Sequence, residues 1–330
     1  MITREWKGAN LNEAFFPVTM ASVSWSDNEG NFHKISGQYA IIDFSTKKTF
    51  SVVSDRYHLI LNKEAYDFAD AIIRGVFEGF TLSDFECFNI YMPKTRGSCR
   101  IDLIIPHNFN NPFGDPRENW TPFVRISNSY NKTLVLKYEI GFCRWICLNG
   151  VIFGQKGITI KFVHTDEINP KTINLYILKA QQEIGNIRNL WNAFENKLLR
   201  LKEIPLPSTM ALPMFCKAFG LEIDETKVSK SQKENFKIKA QKIITSSKEY
   251  FAELGNNAYA LFNVLTDFAS FSEGVANPHN FIHGYQRKVG DWVDNIVTES
   301  SKPDFSLYKY IGEAAMNSAF FLESLVENRQ

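Results

Sequence analysis

The spacing of apolar residues changes once along the chain, near residue 168, and this change constrains the fold more than any other feature. Between residues 32 and 165 the apolar residues are mostly β-branched or aromatic and come in short runs, a pattern typical of strands. From Ile173 onward they recur every three or four residues, as on one face of an amphipathic helix. The sequence therefore predicts an α+β protein. A mixed, mostly antiparallel sheet lobe with one helix covers 1–168, and a helical lobe covers 169–330.

Two hairpins and one helix are predicted within the sheet lobe. The paired strands of the hairpins, which flank polar turns, are 39–44 with 49–53 and 87–91 with 99–105. Asn62 can cap the helix, whose apolar positions repeat at three and four residues. The segment 107–121, rich in Pro, Gly and Asn, is expected to be an exposed loop.

The helical lobe is expected to begin with one long helix, whose apolar positions run from Ile173 to Leu201. Three prolines, at 205, 207 and 213, then interrupt the pattern. Helical spacing resumes in four segments, namely 231–254, 258–271, 290–297 and 307–326.

The sequence shows no sign of export or of membrane insertion. Its five cysteines are too few and too irregularly spaced for a disulfide framework, so reduced thiols are expected. The first residues lack the basic and apolar regions of a secretory signal, and the longest apolar runs fall far short of the roughly 20 residues that a spanning helix needs. We therefore expect a cytoplasmic protein with no membrane partner.

Charge is distributed unevenly along the chain. The formal net charge is only +1, which argues against a global attraction to nucleic acid or to a membrane. Residues 1–120 nevertheless carry a net charge of −3, residues 121–250 carry +9 and residues 251–330 carry −5. Any electrostatic attraction must therefore come from the basic middle third.

Two short elements in this basic third, 123–133 and 144–150, carry a pattern that recurs in a known family. Together with the segments around 57–62, 163–165 and 261–268, they resemble the phage/plasmid-like protein family, a domain of unknown function found in phages, prophages and plasmids. The order and spacing agree over about residues 50–270. Residues 130–133, Tyr-Asn-Lys-Thr, depart from the His-Asp-Gly-Ser of the family pattern. The family-motif residues are Asn128, Ser129, Arg144, Cys147, Asn149 and His164.

This resemblance implies a phage, prophage or plasmid origin and the cytoplasm of a host cell. It supplies no established reaction, cofactor or catalytic residue.

Arg144, Cys147 and Asn149 have both a structural and a functional interpretation. In the structural one, Arg144 pairs with a carboxylate, Cys147 is a small buried side chain and Asn149 begins a turn. In the functional one, Arg144 presents its planar guanidinium to a phosphate, aided by Arg125 and Lys137 on neighbouring strands. The residue types favour the structural interpretation.

Motifs of metal, nucleotide and catalytic sites are not found. Cys143, Cys147 and His164 are candidate zinc ligands, but four residues of strand separate two thiolates by about 13 Å, too far for one Zn²⁺ ion. No Gly-rich phosphate loop, dinucleotide fingerprint or Gly-x-Ser-x-Gly elbow occurs. No metal and no cofactor are expected, no catalytic residue can be named, and the sequence favours a binding protein over an enzyme.

Lysines are dense on and before the predicted helix 231–254. A solvated face that keeps a surface helix soluble is the usual explanation for such a run. The alternative is a surface that follows the phosphates of a nucleic acid, with aromatic side chains as stacking groups.

Two functions from different classes follow. The leading hypothesis is a phage or plasmid accessory protein that binds single-stranded or double-stranded DNA in replication or recombination. The residues expected to bind nucleic acid are Arg125, Lys137, Arg144, Lys233, Lys237 and Lys242. The rival is a non-enzymatic module that binds and inhibits a host antiphage defence complex, through the helical half and the acidic last 80 residues. A basic groove lined by aromatics would favour the first and an exposed apolar patch the second, while the oligomeric state stays open.

Overall fold

The computed structural model describes residues 8–106, 111–145, 149–153, 159–165, 170–184, 187–270 and 278–327. The strands are β1 (Val18–Ser26), β2 (Phe32–Asp43), β3 (Thr49–Ser54), β4 (Glu86–Tyr91), β5 (Ser98–Ile104), β6 (Trp120–Ser129), β7 (Leu136–Arg144), β8 (Asn149–Ile152) and β9 (Thr159–Phe162). The helices are α1 (Asn62–Val76), α2 (Pro170–Ile184), α3 (Ile187–Glu203), α4 (Ala211–Phe219), α5 (Lys230–Leu254), α6 (Ala258–Ser270), α7 (Pro278–Glu299), α8 (Leu307–Ile311) and α9 (Glu313–Glu327). The predicted α+β class, with sheets and one helix before a helical region, is confirmed.

The first three strands form a three-stranded antiparallel sheet in the order β1-β2-β3. β2 and β3 are the first predicted hairpin. β3 pairs only with residues 38–42 of β2, whereas the pairing of β1 with β2 continues to Ser26 and Phe32. The outer part of the β1–β2 hairpin, 22–36, therefore extends beyond the third strand as a two-stranded ribbon, and none of its residues is buried.

The other six strands form an antiparallel sheet in the order β4-β5-β6-β7-β8, in which β9 pairs with the first half of β7. β4 and β5 are the second predicted hairpin. All ten residues of β6 are buried, so this six-stranded sheet is covered on both faces. The two faces differ in composition, because side chains alternate between them along each strand.

The apolar face of the six-stranded sheet forms the main core with the helices. Phe142 of β7 stacks on Phe194 of α3 with ring centroids 4.2 Å apart, and Trp120 of β6 stacks on Phe262 of α6 at 5.7 Å. Every residue of α6 is buried, so this helix lies inside the helical region. The main hydrophobic cluster includes residues of both predicted lobes, and the division near residue 168 stays a prediction about independent folding.

Several predicted boundaries differ from the structure. The helix expected over 173–201 is described as α2 and α3, on either side of residues 185–186, which lie outside the described residues. The prediction of a single helical segment over 307–326 is wrong, because Gly312 has φ 83° and separates α8 from α9. The segment 290–297 belongs to the longer helix α7.

The prediction of an exposed loop over 107–121 is wrong at the C-terminal end of that segment. A short 3-10 turn, Pro116–Glu118, leads directly into β6, and the side chains of Glu118 and Trp120 are buried. None of the described helices is long and apolar enough to cross a membrane.

Candidate functional site

The two arginines expected to bind nucleic acid are both fully buried, on opposite faces of the six-stranded sheet. Arg144 follows Phe142 by two residues and shares its apolar face, as its sequence position predicts. Arg125 lies on the other face, which we call the charged face because it also carries Asp102 and Glu139. Both arginines are 0 % exposed.

Arg125 is held by a carboxylate and an amide. Its Nε and Nη2 donate to the two carboxylate oxygens of Asp102 on the neighbouring strand, at 2.6 and 2.5 Å. Its Nη1 donates to Oε1 of Gln286 in α7 at 2.8 Å. This bidentate pair joins β5 to β6 and joins both to α7.

Glu139 is the cross-strand neighbour of Arg125 on β7, and its carboxylate lies between Lys137 and His283. Its Oε2 is 2.8 Å from Lys137 Nζ and 2.8 Å from His283 Nε2. Burial alone would raise the pKa of Glu139, but hydrogen bonds from His283 and attraction to Lys137 outweigh it and lower the pKa to about 2.

His283 is neutral near pH 7, because burial lowers its pKa to about 4. A carboxylate can only accept, so the proton of the neutral ring lies on Nε2 and is donated to Glu139. Lys137 is 3.2 Å from the same nitrogen, which has no lone pair left to accept its proton, and so its ammonium binds Glu139 instead.

A second row of side chains lies beside the first on the charged face. Arg100, Ser127, Lys137 and Lys161 are successive cross-strand neighbours on β5, β6, β7 and β9. Arg100 is 3 % exposed, Ser127 is fully buried, the side chain of Lys137 is 12 % exposed and Lys161 is exposed. This row thus runs from the interior to the surface.

α7 covers part of the charged face at very short range. A Cβ atom added to Gly290 would lie 2.3 Å from the backbone oxygen of Ile152 in β8, so only glycine permits this contact between backbones. The contact brings His283 and Gln286, two turns and one turn earlier on the helix, over Glu139 and Arg125.

On the apolar face, Arg144 binds Glu118 and Asn263. Its Nη2 donates to Glu118 Oε1 at 2.9 Å and its Nη1 to Asn263 Oδ1 at 3.1 Å. The other carboxylate oxygen of Glu118 accepts a hydrogen bond from the hydroxyl of Tyr259. Burial and the nearby Glu118 carboxylate raise the pKa of Tyr259 well above its usual value, so this hydroxyl keeps its proton.

Asn149 extends this network instead of beginning a turn, so its predicted role is wrong. It is the first residue of β8 and the cross-strand neighbour of Arg144. Its Nδ2 donates to the hydroxyl of Tyr250 at 3.1 Å and lies 3.4 Å from the backbone oxygen of Asn263. Arg144 and Asn149 therefore both bind α6, and Cys147, the third residue of this motif, lies outside the described residues.

A family model described as a domain of unknown function, DUF932, matches residues 49–279. The chain belongs to the DUF932 family. No curated protein and no solved structure matches it. The DUF932 match includes the network of Arg144 and most of the charged face, whereas His283 and Gln286, which complete that face, lie beyond its end.

The other motif residues of the DUF932 chain anchor loops and the start of α1. Asn128 Nδ2 donates to the backbone oxygen of Ile60 at 2.9 Å and to Asn62 Oδ1 at 3.0 Å. Ser129 binds both backbone groups of Leu134 in the turn between β6 and β7. These contacts give Asn128 and Ser129 structural roles.

His164 stacks on Tyr57 with ring centroids 4.9 Å apart, and its Nδ1 lies 3.3 Å from the backbone oxygen of His58. Burial lowers the pKa of His164. The ring is therefore a neutral packing group between two segments of the DUF932 chain.

The three lysines of the predicted basic helix lie on α5. Lys233 is exposed, whereas Lys237 and Lys242 are half-buried, and Lys242 lies 5.8 Å from the ring centroid of Phe268. They share no surface with Arg125 and Arg144, which are enclosed by protein. The structure therefore does not bring the lysines of α5 and the two sheet arginines, all expected to bind nucleic acid, onto one surface.

Metal chemistry has no ready site in the described part of the DUF932 chain. No group of three or more His, Cys, Asp or Glu side chains there could hold an ion. Four cysteines are described, and all are buried free thiols, namely Cys87, Cys99, Cys143 and Cys216.

The sequence reasoning missed the partners of the arginines. Asp102 and Glu139 carried a signal, because each lies between two apolar residues of a strand, a position that faces away from the apolar core yet inside a covered sheet. Glu118 carried none, since it follows a run of Pro, Gly and Asn. His283 and Gln286 are 144 and 161 residues from the strand residues that they bind, so only the fold brings them together.

Proposed function

We propose that this DUF932 protein is a phage or plasmid accessory protein that binds nucleic acid in the cytoplasm of a host cell. Its role would lie in DNA replication or recombination. The mobile-element origin rests on the resemblance of the central motifs, and nucleic-acid binding rests on the lysine-rich first half of α5.

The observation that carries the proposal is the exposure of this half-helix. Its first ten residues, 230–239, span about 15 Å, and none of them is buried. They include four lysines and one acidic residue, Glu234. A helical row of cations at this spacing can contact successive phosphates without reading bases, which supports binding that does not depend on sequence.

The buried arginines have a different role in this proposal. Arg125 and Arg144 are each neutralised by a carboxylate and have no solvent-exposed surface. They stabilise the sheet that supports the helices, and the phosphate contacts fall to Lys233, Lys237 and Lys242.

Fluorescence anisotropy with labelled single-stranded and double-stranded oligonucleotides, titrated over a range of salt, tests the proposal. Each lost phosphate contact removes about 0.9 from the slope of log affinity against log salt on duplex and about 0.7 on single strands. The triple variant Lys233→Gln, Lys237→Gln, Lys242→Gln should therefore reduce the slope by about two to three.

A matched control removes the same charge elsewhere. Lys34, Lys94 and Lys309 are exposed lysines outside α5, and their replacement by Gln should leave the slope unchanged. An equal reduction of the slope in both triple variants would mean that net charge alone attracts the oligonucleotide. The absence of oligonucleotide binding at low salt and micromolar protein would rule out the function.

A second candidate function has an observation of its own. The β1–β2 ribbon exposes two large aromatic side chains, Trp25 at 54 % and Phe32 at 82 %, and carries Asp27 and Glu29 at its tip. Apolar side chains beside acidic ones suit a protein partner better than a phosphate backbone. This favours the protein-binding module that inhibits a host antiphage defence complex, although through the ribbon and not through the helical half.

Defence assays in host cells separate the two functions. The double variant Trp25→Ser, Phe32→Ser should abolish protection of a phage against the defence system if the ribbon binds the complex, while oligonucleotide binding is unchanged. Unaltered protection would remove this candidate.

A further inference from the structure

The charged face contains buried polar atoms that nothing in the described structure satisfies. The hydroxyl of Ser127 and Oε1 of Glu139 have no hydrogen-bond partner, although Ser127 is 0 % and Glu139 is 1 % exposed. Leaving a buried polar group unpaired costs about 1–3 kcal/mol, so native folds generally fill such positions with a partner.

The two atoms lie on neighbouring strands of one face. Ser127 is the cross-strand partner of Lys137, which in turn binds Glu139. Ser127 and Glu139 are diagonal neighbours on these strands, a pair whose separation is typically about 7–8 Å, so a small anion between them can reach both side chains.

The cations around this position attract an anion. Ser127 lies between Arg100 on one neighbouring strand and Lys137 on the other, and the row continues to Lys161, the exposed residue of β9. Burial lowers the pKa of Lys137, and Arg287 of α7 adds a positive charge that lowers it further. The row gives an anion a charged path from solvent to Ser127.

We propose that the charged face binds a phosphate monoester beside Ser127, with Arg100, Lys137 and Lys161 as the cations that attract and hold it. The hydroxyl of Ser127 donates to one phosphate oxygen. Oε1 of Glu139 needs a donor, and a phosphate monoester supplies one in its monoanionic form, whose P–OH group has a pKa near about 6, so that binding should strengthen as the pH falls toward 6, whereas the diester of an internal nucleotide has no such proton. The ligand is therefore a terminal phosphate, either of a nucleic-acid strand or of a free nucleotide.

The strand-end form of this ligand rests on the function proposed above, whereas the phosphate site itself does not. The two sources give different results with two probes. Adenosine 5′-monophosphate and inorganic phosphate report on a free ligand by calorimetry. Oligonucleotides of one sequence, with a 5′-phosphate or a 5′-hydroxyl, report on a strand end by anisotropy.

We expect saturable binding of inorganic phosphate and of the monophosphate. Ser127→Ala and Lys161→Gln should each weaken it by about tenfold, because each removes a hydrogen bond to a charged group. Lys34→Gln, an exposed lysine on β2, is the matched control and should change nothing. Sulfate has the size of phosphate but no proton for Glu139 Oε1, and it should bind at least about tenfold more weakly.

The outcomes separate the two proposals. If both oligonucleotides bind equally and neither phosphate nor the monophosphate binds, this site is wrong and the nucleic-acid function survives. If phosphate binds and no oligonucleotide does, the site is correct with a free nucleotide as its source, and the nucleic-acid function fails. The site is also wrong if Ser127→Ala and Lys161→Gln leave the affinity for phosphate unchanged, or if sulfate binds as tightly as phosphate.

Discussion

The two faces of the six-stranded sheet each bury an arginine with a carboxylate, yet Glu118 on one face and Glu139 on the other differ in how completely their carboxylate oxygens are paired. On the apolar face, both carboxylate oxygens of Glu118 accept a hydrogen bond, one from Arg144 and one from Tyr259. On the charged face, only one oxygen of Glu139 has a partner among the described residues, and Glu139 lies beside a row of cations that reaches solvent. The first network therefore has a structural role in the core, and the second has the features of a ligand-binding site.

The comparison shows that a buried arginine alone does not mark function. Arg125 and Arg144 are equally enclosed and each forms an ion pair with one buried carboxylate, so neither burial nor charge distinguishes them. What differs is the access to solvent, because Asn149 Oδ1 beside Arg144 also has no partner among the described residues, but only the charged face continues in a row of cations to the surface. Unpaired polar atoms and a path to solvent on the charged face point to a ligand.

The largest expected effect breaks the closed network. Arg144→Met leaves Glu118 charged and buried without its cation, which should lower the free energy of unfolding by about 3–5 kcal/mol. Arg144→Lys keeps the charge but cannot donate to both Glu118 and Asn263 with a planar fork, so its loss should be smaller. Urea denaturation measures both, with Arg117→Met as the surface control.

The control has a clear expectation. Arg117 pairs with Asp115 on the surface, and its side chain is 57 % exposed, so its replacement should cost less than about 1 kcal/mol. An Arg144→Met variant as stable as Arg117→Met would show that the buried pair contributes nothing to stability. This outcome would also remove the distinction between a structural network around Arg144 and a ligand site on the charged face.

The sequence predicted the framework of this comparison but not its chemistry. The β2–β3 and β4–β5 hairpins, the presence of α1 and the apolar face of Arg144 follow from the spacing of apolar residues and turn composition, which are local properties, whereas the predicted cap at Asn62 is wrong because Leu61 is the N-cap. The ribbon 22–36 was not predicted, since its exposed residues carry no core pattern. Glu118 was expected in an exposed loop, because a run of Pro, Gly and Asn conceals a carboxylate that becomes buried only when α6 packs against the sheet.

The second prediction concerns the dependence of stability on pH. Among the described residues of the two networks, a histidine occurs only on the charged face. The pKa of His283 is about 4 in the folded protein against a usual 6.5, so the unfolded chain takes up a proton first as the pH falls. Its contribution to stability is complete above about pH 6.5 and is lost toward pH 4. Glu139, with a folded pKa of about 2 against a usual 4.5, adds a further loss below about pH 4.5.

His283→Gln should remove the first of these two losses and reduce the second, because the hydrogen bond and the charge of His283 are the largest causes that lower the pKa of Glu139. Between pH 6.5 and 4 the wild type should lose up to about 3 kcal/mol more stability than the variant, measured by urea denaturation at several pH values. The groups that face His283 are Glu139, Lys137 and Arg125, and the last two stay charged across this range. Parallel pH profiles for the two proteins would mean that His283 is not buried in its neutral form.

The smallest expected effect compares two serines of β6. Ser129 Oγ donates to the backbone oxygen of Leu134 at 2.8 Å and accepts from its N–H at 2.9 Å, so Ser129→Ala should cost about 1 kcal/mol. Ser127 is equally buried but has no such partner, and Ser127→Ala should change the free energy of unfolding by less than about 0.5 kcal/mol in phosphate-free buffer. Added phosphate should then stabilise the wild type and not Ser127→Ala, because a ligand stabilises only a protein that binds it. A loss of about 1 kcal/mol in Ser127→Ala without phosphate would mean that its hydroxyl already has a partner, and the contrast between the two faces would disappear.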